Sequence, residues 1–142
     1  MKLIVEEIIQ SKTLYQEITA SENIDVIAIR PRIYKHLAPV GTLQIKITDA
    51  SGNIIAISNS VTITDINSAN YSHTYYKFDI ATQLFSGNTY RIYIYNSGYT
   101  FSESAWCGWC RTLDLGRVDC DYSPCIGMDS PFDFELWQKR RF

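Results

Sequence analysis

The chain has 142 residues, is 46% hydrophobic and 20% charged, and carries a formal net charge of −2 at neutral pH. That length suits one domain spanning residues 1–142 and buries roughly two-thirds of the unfolded surface, so the composition excludes a disordered chain and requires no staple. The only basic run, Lys139-Arg140-Arg141, is too short for a nucleic-acid footprint, and no apolar stretch approaches the ~20 residues that cross a membrane as a helix.

At the N-terminus, Met1-Lys2-Leu3-Ile4-Val5-Glu6-Glu7 places two glutamates where a signal peptide needs its apolar run, which predicts synthesis in a cytosol. The β-branched Ile4, Val5, Ile8 and Ile9 favour a strand within residues 2–9. Residues 24–34 begin apolar on both faces (Val26, Ile27, Ala28, Ile29), the pattern of a central strand covered on both sides. Pro31 has no N–H for a ladder, so pairing is expected to weaken or bulge there.

Residues 42–48 set Leu43, Ile45 and Ile47 against Gln44, Lys46 and Thr48, and Asp49-Ala50-Ser51-Gly52-Asn53 then signals a hairpin turn. Residues 53–58 and 61–64 read as short strands, and residues 65–71 as a turn or short helix. Residues 74–80 read as one alternating strand. After the turn at Ser86-Gly87-Asn88, residues 89–96 put Tyr90, Ile92 and Ile94 on one face and Arg91, Tyr93 and Tyr95 on the other. Near the C-terminus Phe132, Phe134 and Leu136 alternate with Asp133, Glu135 and Trp137. Many short strands with little helical periodicity predict an all-β, antiparallel two-sheet sandwich.

Residues 98–130 break the pattern and read as one long irregular segment holding all four cysteines, Cys107, Cys110, Cys120 and Cys125. Cys107-Gly-Trp-Cys110 has zinc-knuckle spacing, with Gly108 available for a tight turn, and Cys120 with Cys125 supplies a second pair. A structural zinc, two disulfides and four reduced thiols are the three readings of this cluster. A thioredoxin-like dithiol needs a helix N-terminus in a βαβ unit, and the sequence offers neither.

No nucleophile elbow, phosphate-cradling loop or metalloprotease helix occurs, and His36 and His73 stand apart from any nucleophile, so the chain is read as a non-enzyme. The ten tyrosines, six phenylalanines and three tryptophans raise the prospect of a binding face. Arg91, Tyr93, Tyr95 and Tyr99 are its candidate residues, with Tyr75 and Lys77 expected on a neighbouring strand. The alternative is that these rings are covered within the chain.

Gly41-Thr42-Leu43-Gln44-Ile45, Ser86-Gly87-Asn88-Thr89-Tyr90-Arg91-Ile92-Tyr93-Ile94 and Ser130-Pro131-Phe132-Asp133-Phe134-Glu135-Leu136-Trp137 together give the chain a familiar style. It resembles the small jelly-roll sandwiches among virion proteins of tailed bacteriophages, and it is similar, less closely, to carbohydrate-binding modules. The first resemblance implies a virion structural protein, a capsid decoration or tail-associated component, that contacts other virion subunits and forms a homo-oligomer. The second implies glycan recognition through aromatics such as Tyr93, Tyr95, Tyr99, Trp106 and Trp109. Neither implies a membrane or nucleic-acid partner.

Overall fold

The alternating runs of the sequence are strands in the computed structural model, which describes residues 4–7, 14–36, 40–66, 73–98, 106–111 and 134–139. In chain order they are β1 (Ile4–Glu7), β2 (Leu14–Thr19), β3 (Ile24–His36), β4 (Thr42–Asp49), β5 (Ile54–Ile57), β6 (Val61–Thr62), β7 (His73–Tyr75), β8 (Phe78–Leu84), β9 (Thr89–Asn96), β10 (Trp106–Arg111) and β11 (Phe134–Gln138). A single 3-10 turn, Ile63–Asp65, follows β6 among the described residues.

Every pairing between these strands is antiparallel, and they form two sheets. One runs β2-β9-β4-β5, with β6 also on β4. The other runs β1-β10-β3-β11, with β7 and β8 also on β3. Ile33 pairs with Trp109 and Thr74, while Ala28 pairs with Trp137 and Asp79. Hence β10 and β11 share one edge of β3 end to end, and β7 and β8 share the other. Counting each end-to-end couple as one interrupted strand leaves an order of first-eighth-third-sixth in this sheet and second-seventh-fourth-fifth in its partner.

Pro31 marks where β3 changes neighbours. On one edge β8 pairs as far as Ile29 and β7 starts at Arg32; on the other β11 reaches Pro31 and β10 starts at Ile33. A residue without an N–H sits where two ladders are interrupted together, as its chemistry requires. The bulge itself lies earlier, between Val26 and Ala28. It turns Ile27 outward, 46% exposed, so the strand is not covered on both faces at its start as the apolar run suggested.

The core lies between the sheets. Leu43, Ile45, Ile47, Ile92 and Ile94 from one sheet are fully buried with Ile29, Ile33, Phe78, Leu84 and Trp109 from the other. Each such side chain contributes about 1.5–3 kcal/mol through burial. The β4–β5 hairpin closes on Gly52 at φ 90°, a left-handed conformation that strains a residue with a Cβ. Asp49 Oδ1 accepts the Ser51 and Asn53 N–H groups, both at 2.9 Å, and Asn53 Nδ2 donates to Oδ2 at 2.9 Å. The Asn53 side-chain bond is the main reason this carboxyl titrates below its ordinary value.

Three local expectations are corrected. Residues 74–80 are two strands, broken where Tyr76 N donates to Pro31 O at 3.1 Å. Only Val61–Thr62 of residues 61–64 is extended, because the chain turns into the 3-10 segment at Ile63, whose N–H bonds Gly41 O. Within the segment expected to be irregular, Trp106–Arg111 is a strand, held by β1 on one side and β3 on the other. Most of the helix candidate at residues 65–71 lies outside the described residues.

Candidate functional site

β9 is an inner strand of its sheet, between β2 and β4, and its outward residues meet defined neighbours. Arg91 pairs with Glu17 and Thr48, Tyr93 with Tyr15 and Lys46, and Tyr95 with Gln44. The Tyr15 and Tyr93 rings stand 5.0 Å apart. Lys46 Nζ lies 4.8 Å from the Tyr93 centroid and 5.4 Å from that of Tyr95, and the Arg91 guanidinium lies 5.1 Å from that of Tyr15. Tyr95 Oη donates to Gln44 Oε1 at 3.0 Å, and Gln44 Nε2 donates to Ser58 O at 3.0 Å.

This face is largely occupied by its own members. Tyr15 is 7% and Tyr93 9% exposed. Burial raises the Tyr15 and Tyr95 phenols above their ordinary range. Arg91 Nε sits 3.5 Å from Glu17 Oε2, an ion pair without a hydrogen bond at that buried nitrogen. Hydrogen bonding to Tyr93 is the main cause that raises the guanidinium above its ordinary value. Of the candidate residues, Arg91, Tyr93 and Tyr95 therefore come together, and Tyr99 lies outside the described residues.

Tyr75 and Lys77 are not neighbours of β9, as the sequence reading had them. They belong to the opposite sheet, where Tyr75 pairs with Arg32 of β3. There Arg30 lies 5.4 Å from the Tyr75 centroid and 5.7 Å from that of Trp137, Arg32 lies 5.8 Å from Tyr75, and Lys77 Nζ lies 5.6 Å from Trp137. Arg30 Nη1 also bonds Glu135 Oε1 at 2.9 Å. Cations and rings alternate across three strands, each contact worth about 0.5–1 kcal/mol at an exposed site. The ladder ties β11 to β3.

Cys107 faces the core, fully buried, as a free thiol. Burial pushes it up to about 12, with Lys35 opposing the rise. Gly108 lies inside β10 rather than in the expected knuckle turn, because the strand pairs without a break. An unbroken strand puts positions 107 and 110 on opposite faces. Cys120 and Cys125 lie outside the described residues, and among those described no three potential ligands gather as a metal site. Trp109, expected to be available to a sugar, is buried in the core against Phe134, with ring centroids 6.2 Å apart.

The open apolar surface lies elsewhere. Ile54, Ile55 and Ile57 of β5 are 54%, 39% and 51% exposed, and Phe85 is 50% exposed. Ile55 and Phe85 line a cleft of about 500 Å³ between the β4–β5 and β8–β9 turns, with Asp49, Gln83, Asn88 and Tyr90 among its other walls. Sequence reasoning found β5 as a strand and missed its exposure. The usable signal was the run from Ala50 to Thr64, which contains no charged residue.

No family model, curated protein or solved structure matches this chain.

Proposed function

We propose that this chain is a non-enzymatic structural protein of a tailed-bacteriophage virion, a capsid decoration or tail-associated component that works by contact with other protein subunits. The observation that carries the reading is the uncovered apolar rim of Ile54, Ile55, Ile57 and Phe85 beside the cleft. Exposed large apolar groups concentrated at one place are a mark of interaction sites, whereas singly scattered ones are ordinary. The strand order, first-eighth-third-sixth against second-seventh-fourth-fifth, supports a jelly roll, an architecture used by viral capsid domains and by lectins. Fold alone does not choose between those uses. The aromatic groups favour assembly, because cations of the same chain already lie over the rings of Tyr15, Tyr75, Tyr93 and Tyr95.

The test is mass spectrometry of particles banded from a lysate of the encoding phage. The chain is expected at a fixed ratio to the other particle proteins. Its absence from the particle would overturn the virion assignment. Absence combined with glycan binding lost on Trp137→Ala would favour the carbohydrate alternative, since Trp137 is 38% exposed on the opposite sheet.

A further inference from the structure

We infer that β5 is the seam of a symmetric dimer, pairing antiparallel with β5 of a second copy of this chain; the inference rests on the assembly reading above and names its first partner.

β5 is an edge strand, and among the described residues it pairs with β4 alone. The Ser58 N–H donates to Ile45 O at 2.8 Å, so that residue turns its backbone toward β4. Period two then turns the Ile57 N–H and C=O away from the sheet, where they present an open ladder. The register shift between Ile47 and Thr48 leaves Ile55 as the extra residue of a bulge.

Edge strands are ordinarily guarded by charge or proline. The sequences of β1, β2, β8 and β11 each include a carboxylate, Glu6 and Glu7, Glu17, Asp79, and Glu135 respectively, and Lys77 follows β7. Residues 50–64, spanning β5 and β6, contain no Asp, Glu, Lys, Arg or Pro. This edge carries a bulge but lacks the charge that the others carry.

The same feature selects a second copy as the occupant. Two identical strands paired about a two-fold axis bring like charges together, and an uncharged strand avoids that repulsion. Ile57 stands opposite Lys46 and Ile54 opposite Thr48, both outward-facing positions of β4, so Ile54 and Ile57 belong to the outer face of the sheet. In an antiparallel pair Ile54 of one copy comes opposite Ile57 of the other, and the two-fold repeats the contact. Four exposed isoleucines then cover one another, and the two small sheets become one continuous sheet. Ala56, which packs toward the core, stays where it is.

Sedimentation velocity on the full chain over roughly a hundredfold range of concentration, with wild type, Ile54→Lys and Ile57→Lys, tests the inference. Both positions are exposed, so the variants are expected to keep the wild-type circular dichroism spectrum. The wild type should dimerise, and each lysine should weaken the dimer about tenfold or more, because it sets a charge against the isoleucine that the other copy presents there. Hydrogen exchange should slow at the Ile57 amide as wild-type concentration rises, and should not do so in either variant. A wild-type monomer at every concentration, or an oligomer indifferent to both lysines, would overturn the seam. Neither result bears on whether the chain is found in banded particles, so the two readings fail separately.

Discussion

Cys107 and Lys35 are direct partners across β10 and β3, and they show how one position sets chemistry. Both point into the sandwich; Lys35 is 8% exposed and its Nζ reaches Ile66 O at 3.3 Å. The lysine thereby keeps a hydrogen-bond partner, whereas burial of the thiol, opposed only in part by Lys35, pushes it up to about 12. A thiol protonated at neutral pH is a poor nucleophile and a poor metal ligand. Iodoacetamide at pH 8 should therefore leave Cys107 unmodified in the native chain and alkylate it in urea, as read by peptide mass spectrometry; rapid native labelling would contradict the buried placement. The pH dependence has a definite sign. The folded chain retains a proton that the unfolded chain loses above the ordinary thiol value of 9.0. The contribution to stability is thus complete below pH 9 and declines as pH rises toward 12.

At the scale of elements, β10 and β11 are two parts of one strand interrupted by residues 112–133. Trp109 pairs with Ile33 and Phe134 with Pro31, so Cys110 followed directly by Phe134 would continue the ladder in register. Alternation also carries across: Cys107 and Trp109 face the core, and Phe134 and Leu136 pack against it. Deleting residues 111–133 should leave the strand content of the chain and the buried environment of Trp109 intact, with Tm lowered by a few degrees, about 1 kcal/mol. Circular dichroism and tryptophan fluorescence check this. An unfolded deletion variant would mean that the segment holding Cys120 and Cys125 is a structural knot.

The strands with one buried face were legible in the sequence for a physical reason. Leu43, Ile45 and Ile47 must all face the core, and a one-residue slip would turn them all to solvent. β10 was not legible, because Trp-Cys-Gly-Trp-Cys-Arg has no apolar alternation and is extended through pairing on both sides. The break at Tyr76-Lys77 was hidden for a similar reason: it answers to Pro31 on another strand.

For the whole molecule, β1 pairs with β10 and β2 with β9, so the ladders join distant parts of the chain. Along the chain, successive strands pass from one sheet to the other except from β4 through β6, between β7 and β8, and between β10 and β11, where the chain stays within one sheet. Which outward faces end up covered is decided by this topology and cannot be read locally. Arg91, Tyr93 and Tyr95 were legible as a shared face of one strand, but their partners Tyr15, Glu17 and Lys46 became neighbours only through register. The exposure of β5 was hidden likewise: Ile-Ile-Ala-Ile has the composition of a core strand, and its place at a sheet edge leaves it open.

The native mass of the chain tests most directly the pairing of two copies through β5. Native mass spectrometry without reductant is predicted to show a defined even-numbered oligomer that dissociates on dilution. A monomer at every concentration would contradict the account.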